Sequence, residues 1–313
     1  MIERQPQEVP KQHGLPALLV RLDQLQQHHP WLSFAWAVQR KYSDDEAGYE
    51  GVLMTYYGFL SLFPLLFVLL SLLQLSVLQG LHIRSEAVSV INQRLPIVGT
   101  QLQANIHSRH SASIVLVVSL LITLYGARSV AVVLQHAMDR LWLTPKSEQI
   151  GGLTAVMRSL GIVVLGGLTI IAATVLSNVT TGFGHSIPAR LFSLLMSLLT
   201  IFVVMLLLFR IGPSKAVSAK KLVTGALASA VGLQIIQIFG GLLVAHELRN
   251  LSSLYGSFAV ALGILFWLYL QVQVLLYGVE INTVRTLGLW PRGLVGSSPT
   301  EQDREAKRLY ARL

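Results

Sequence analysis

The stretch ILFWLYLQVQVLLYGVEIN, from Ile264 to Asn282, has nearly the length of a membrane crossing, about 20 mostly apolar residues. It nevertheless holds two glutamines, two tyrosines, a glycine and a glutamate. A helix turns about 100° per residue, so Tyr269, Gln273, Tyr277 and Glu280 fall within about 80° of one another. Trp267, Gln271, Gly278 and Asn282 gather on the opposite side. A helix with protein on one side and lipid on the other would carry a single polar stripe. Two opposed stripes predict protein contact on two sides, and hence a helix central to its bundle. Such side chains either bond between helices, each contributing on the order of 1 kcal/mol, or line a polar cavity or substrate path.

The rest of the chain fits this membrane reading. Of its 313 residues, 53% are hydrophobic and 12% charged, about half the charged share of a soluble domain. Six stretches are long and apolar enough to span: about 52–78, 113–135, 156–177, 190–210, 222–245 and 255–281. They do not alternate as barrel strands do, so the predicted fold is an all-α bundle of six transmembrane helices. The first residues, MIERQPQEVPKQHG, are polar with no apolar run behind them, which predicts no secretory signal peptide. Of the 24 Lys and Arg, all but Arg84, Arg94, Arg109, Arg190 and Arg249 fall on the side that holds both termini. The positive-inside rule makes that side cytoplasmic. Topology and attraction to anionic lipid then account for most of the net charge of +9, and no nucleic-acid partner is expected.

Three parts follow: a cytoplasmic segment over 1–51, the membrane domain over 52–282 and a cytoplasmic segment over 283–313. In the first, Trp31, Phe34, Trp36 and Val38 followed by Arg40 and Lys41 predict an interfacial helix. Asp44, Asp45 and Glu46 suit the positive end of the span that follows. The outer connection 79–112 has apolar residues near helical spacing, broken at Pro96 and Gly99, which predicts short amphipathic helices. Trp142 suits an interfacial anchor. Thr300 and Asp303 form a capping-box pattern opening a short, solvated helix.

Besides Gln271 and the stripe of Tyr269, Gln273, Tyr277 and Glu280, the residues that could line a substrate path are Arg128, Tyr56 and Tyr57. Arg128 lies inside the second span, where an arginine must pair or reach a phosphate; Glu280, at similar depth, is one partner and lipid phosphate the other. Pro64 breaks a backbone hydrogen bond in mid-span and is a hinge candidate. Gly225, Ser229, Gly232, Gly240 and Gly241 suit close helix approach in the fifth span. There is no cysteine and no nucleotide, zincin or hydrolase motif. No catalytic residue, metal site or cofactor is expected, and the chain reads as no enzyme.

Three stretches together resemble one known family: MTYYGFLSLFPLLFVLL at 54–70, LYGARSVAVVLQHAMDRLW at 124–142 and LYGSFAVALGILFWLYLQVQVLLYGVEIN at 254–282. They are similar to the YihY/BrkB (YhjD-like) family of bacterial inner-membrane envelope integrity proteins. Tyr56, Tyr57 and Ser61 to Pro64 match its opening span. Tyr255, Gly256, Ser257, Trp267 to Leu270, Gly278, Glu280 and Asn282 match its closing one. Thr55 and Val279 are mild departures. The resemblance implies a multi-pass protein of the bacterial inner membrane with a role in envelope integrity. Two readings of that role follow. One is a transporter or flippase-like exporter of a lipid or amphipathic envelope precursor, with membrane lipids as partners and an amphipathic or anionic lipid as substrate. The other is a non-transporting structural or interaction protein, and an oligomer fits either. A membrane-bound nuclease ranks third.

Overall fold

The computed structural model describes residues 23, 25–74, 109–182, 187–255, 257–294 and 299–311, with side chains left out at 63–74, 109–116, 171–182, 240–260 and a few single positions. Among them the secondary structure is helical throughout, with no strand. The helices are α1 Pro30–Asp44, α2 Ala47–Gln74, α3 Arg109–Leu141, α4 Gly152–Gly182, α5 Ile187–Ile211, α6 Ala219–Tyr255, α7 Ser257–Leu287 and α8 Glu301–Tyr310.

Local chemistry sets several of their ends. Pro30 opens α1, where its missing N–H is no loss. Glu46, at φ 53°, turns the chain between α1 and α2. Gly288, at φ 66°, ends α7; the Leu289 N–H then reaches back to the Val284 carbonyl at 3.1 Å, as a left-handed C-cap allows. Thr300 and Asp303 make both bonds of a capping box at α8.

Four segments are long and apolar enough to cross a membrane: Leu120–Leu141, Leu191–Ile211, Ala219–Phe239 and Ala261–Leu287. Gly152–Gly166 is a shorter apolar helix. On α5, Leu191, Leu195, Leu199, Val203 and Leu207 recur every fourth residue and are all exposed. On α6, Val223, Leu227, Val231 and Ile235 repeat the pattern. Water would penalise such continuous apolar stripes and lipid does not, so the outer wall of the bundle is a lipid-facing surface.

Consecutive helices from α2 to α7 pack against one another, and α7 returns to pack on α2, closing an up-and-down circuit. α7 also meets α1 and α3. Between Ala261 and Leu287 only Leu262, Phe266 and Arg285 are exposed. α7 thus packs against more of the other described helices than any of them does.

Three expectations need correction. α1 is not merely interfacial. Trp31 stays 70% exposed, but the Ser33, Ala37, Val38 and Lys41 face is buried and α1 packs on α7. The C-terminal helix is docked rather than solvated, because Asp303 and Ala306 are buried. Trp142 is a core residue at 4% exposure, packed among Met138, Leu141 and their neighbours, and not an anchor. The outer connection 79–112 falls almost wholly outside the described residues. α2 runs unbroken through Pro64, whose own side chain is outside the description.

Candidate functional site

Two charged clusters lie at the end of the bundle where α1 and α8 sit. The first is sealed. Lys41 Nζ, on α1, donates to Asp45 Oδ2 and to the Leu141 carbonyl at 2.7 Å, and it pairs with Glu280 Oε2 at 3.1 Å. An ammonium has three donors, and here each meets an oxygen. All three charged side chains are 0% exposed. The Leu141 carbonyl is one of those left free at the C-terminus of α3, where a cation is favoured. Tyr310 of α8 donates to Asp45 Oδ1, and Thr283 Oγ1 donates to Glu280 Oε2 at 3.2 Å. One ammonium thus ties α1, α3 and α7 to the α1–α2 turn, and α8 is joined through Asp45.

Burial alone would lower the pKa of Lys41, but the Glu280 and Asp45 carboxylates outweigh it and hold the ammonium above its ordinary value. Burial and the adjacent Asp45 raise the Tyr310 phenol as well. The cluster has two carboxyls for one cation, and among the described residues no donor reaches the buried Glu280 Oε1.

The two stripes of α7 engage different neighbours. Tyr42 of α1 donates to Gln273 Oε1 and stacks on Tyr277, centroids 4.4 Å apart. Burial pushes the Tyr42 phenol up to about 12. Tyr277 donates to Gln39 Oε1 at 2.7 Å. On the opposite side, Asn282 Oδ1 accepts from the Gly225 N–H of α6 at 2.7 Å. A Cβ at Gly225 would collide with the Gly278 carbonyl, and one at Gly278 with Ser229 Oγ. Small residues there let the α6 and α7 backbones nearly touch. Gly232 is less tight, a Cβ there meeting a Val274 methyl at 2.7 Å, whereas Gly240 and Gly241 fall outside the described side chains.

Ion pairs beside the sealed cluster fasten the C-terminal segment. Arg292 pairs with Asp303 at 3.0 Å and with Asp44 at 2.8 Å. The Gly293 carbonyl accepts from Arg40, and Leu294 N–H donates to Asp23 at 2.8 Å. Burial works against the Asp303 carboxylate, but bonds from Gly293, Arg292 and Thr300 together hold it below the usual range.

The other cluster is open. A cavity of about 220 Å³ lies between α3, α4 and the connections at 142–151 and 212–218. Arg128, Gln135, His136, Asp139 and Arg158 line it. Arg128 is exposed and makes no ion pair with Glu280, whose cation is Lys41. Tyr56 is 55% exposed and its ring meets that of Tyr57 edge-on, 5.4 Å away. Tyr269 and Gln271 are half-buried on α7. Among the sequence-derived candidates, Glu280, Gln273 and Tyr277 therefore come together against α1, while Arg128, Tyr56 and Tyr57 stand elsewhere. Lys41, Asp45 and Arg158 were not among those candidates. Lys41 and Asp45 are four apart in RKYSDD, a spacing that pairs charges on one helix face.

The family model described as virulence factor BrkB matches residues 38–289. The chain belongs to the BrkB family. The match takes in Lys41, Asp45 and Glu280 and stops short of Asp303 and Tyr310. This BrkB-family chain is also 22% identical over 269 residues to a UPF0761 membrane protein of Psychrobacter sp. (strain PRwf-1). That alignment covers 83% of the chain and 49% of the relative, so the chain spans about half the relative's length. No solved structure matches. Among the described residues no group of His, Asp and Glu is placed to hold a metal ion.

Proposed function

We propose that this BrkB-family chain crosses the bacterial inner membrane six times with both termini in the cytoplasm. In this reading it contributes to envelope integrity by exporting a lipid or an amphipathic envelope precursor, and α1 with the C-terminal segment forms the cytoplasmic gate on α7. The supporting observation is the sealed Lys41–Asp45–Glu280 cluster at the end of the central helix. A gate needs a contact with two discrete states. An ammonium shared by two carboxylates qualifies, because admitting water or a proton to the unpartnered Glu280 Oε1 changes which carboxylate holds the lysine. A seam of interlocked leucines offers no such alternative. The basic residues near this end meet the anionic leaflet, which supports the cytoplasmic placement. No catalytic step, cofactor or nucleic-acid partner belongs to this reading.

The test is export of labelled phospholipid from the outer leaflet of sealed, inverted proteoliposomes. The wild-type chain is expected to move lipid. Glu280→Gln, which keeps the shape and removes the charge, is expected to slow the movement at least tenfold. Equal rates in both would remove Glu280 from the mechanism, and no movement by the wild type would defeat the exporter reading.

The non-transporting structural reading is favoured by a separate observation. The polar groups of α7 bond to neighbouring helices, as in Tyr277 to Gln39 and Asn282 to Gly225. A chain that moves no lipid but copurifies with a fixed partner through α1 would establish it.

A further inference from the structure

We propose that the cavity between α3 and α4 binds the phosphate of an anionic membrane lipid. Its lining has donors in excess of acceptors. Arg128 and Arg158 both lie on it and neither has a carboxylate partner among the described residues. Arg158 Nη1 donates to the Pro213 carbonyl at 2.6 Å, which fixes that arm of the guanidinium. Asp139, the acidic group on the wall, is already engaged: its two oxygens accept from Ser214 N–H at 2.5 Å and Ser214 Oγ at 2.6 Å. Gln135 is on the lining too, and among the described residues its Nε2 has no acceptor, an omission that proteins rarely leave uncorrected. Two guanidiniums and an orphan amide donor call for a compact anion with several oxygens. Phosphate is the group that arginine forks match.

Position selects lipid over a soluble phosphate. On α3 the residues before Arg128 are exposed and apolar: Val117, Val118, Leu120, Leu121 and Leu124. Beyond Arg128 come Gln135, His136 and Asp139. On α4, Val164 and Leu168 are likewise exposed on the membrane side of Arg158. The polar pocket that Arg128 and Arg158 line therefore adjoins an exposed apolar wall, as a site for a lipid headgroup requires. At about 220 Å³ the cavity is smaller than sites that enclose a drug-sized ligand, about 300 Å³ and up. It fits a headgroup whose acyl chains lie outside against Leu121 and Leu124. This assignment rests on the membrane placement but not on export, since a chain that moves nothing still retains such a lipid.

The full chain in detergent, titrated with short-chain phosphatidic acid and read by native mass spectrometry, tests it. Short-chain diacylglycerol, inorganic phosphate and glycerol phosphate provide the comparison arms. Phosphatidic acid is expected to bind, diacylglycerol not to, and the soluble phosphates to compete only at 100-fold or greater excess. Arg128→Ala with Arg158→Ala is expected to weaken binding at least tenfold. Arg128→Lys with Arg158→Lys, which keeps the charge but loses the fork, is expected to weaken it a few-fold and serves if the alanine variant does not fold. Gln135→Leu is expected to weaken it measurably. Unaltered binding in the lysine or alanine variants would overturn the site. Competition by inorganic phosphate at equal concentration would overturn its assignment to lipid.

Discussion

The two charged clusters at one end of this molecule use the same residue types to opposite ends. Around Lys41 the ammonium meets three oxygens and no charged side chain touches solvent. Around Arg128 and Arg158 a cavity stays open, a buried amide lacks an acceptor and the acid on the wall is engaged elsewhere. A buried charge must be paired or it is expelled, so an ammonium whose three donors all meet oxygens marks architecture or a gate. A charge beside a void with donors left over marks a place for something else. The contrast predicts that the first cluster governs stability and the second binding.

The largest effect that would break this contrast is at Lys41. Lys41→Met strands two buried carboxyls and is expected to destabilise the chain by about 3–5 kcal/mol, read as thermal unfolding in detergent. A loss within 0.5 kcal/mol, about that of a surface substitution, would mean the cluster is solvated after all. Next comes the α6–α7 seam. Gly278→Ala places a methyl against Ser229 and is expected to cost about 1–3 kcal/mol by overpacking, partly recovered by Ser229→Gly in the same chain. A smaller effect is expected at Asp303. Its folded pKa lies below the usual carboxylate value of 3.8, so docking of the C-terminal segment gains stability above that value and loses it as pH falls through the folded pKa. Limited proteolysis should release the segment in strong acid and not at pH 6, and Asp303→Asn should release it at both. The smallest stability effect is expected at Arg128, where alanine should change unfolding by no more than about 0.5 kcal/mol while weakening lipid binding. If Arg128→Ala destabilises as Lys41→Met does, the two clusters are not different in kind.

Much of the fold was legible in the polar residues of a single apolar stretch. The alternation of Tyr269, Gln273, Tyr277 and Glu280 with Gln271, Gly278 and Asn282 predicted a helix gripped on two sides, and α1 and α6 do grip those sides. Gly225, Ser229 and Gly232 announced the close approach of α6. The partner of Glu280 was not legible. Lys41 looked like one of many basic residues on the cytoplasmic side, because positive-inside counting treats every lysine there as solvated. Only the fold of α1 back over α7, 239 positions along the chain from Lys41 to Glu280, carries it inside. Docking of the C-terminal helix was hidden for the same reason: Asp303 served a local capping box in the sequence and a distant Arg292–Asp44 network in three dimensions. Arg158 was counted as flanking charge, and nothing in its neighbours along the chain points to Arg128 across the cavity.

The central claim is that α7 is fastened at its end by the Lys41–Glu280 contact. A double-mutant cycle measures it most directly, with unfolding free energies of Lys41→Met, Glu280→Leu and the two together. A coupling of about 2–3 kcal/mol, with the double variant more stable than Lys41→Met alone, is the predicted result. Strict additivity, with coupling under about 0.5 kcal/mol, would contradict it.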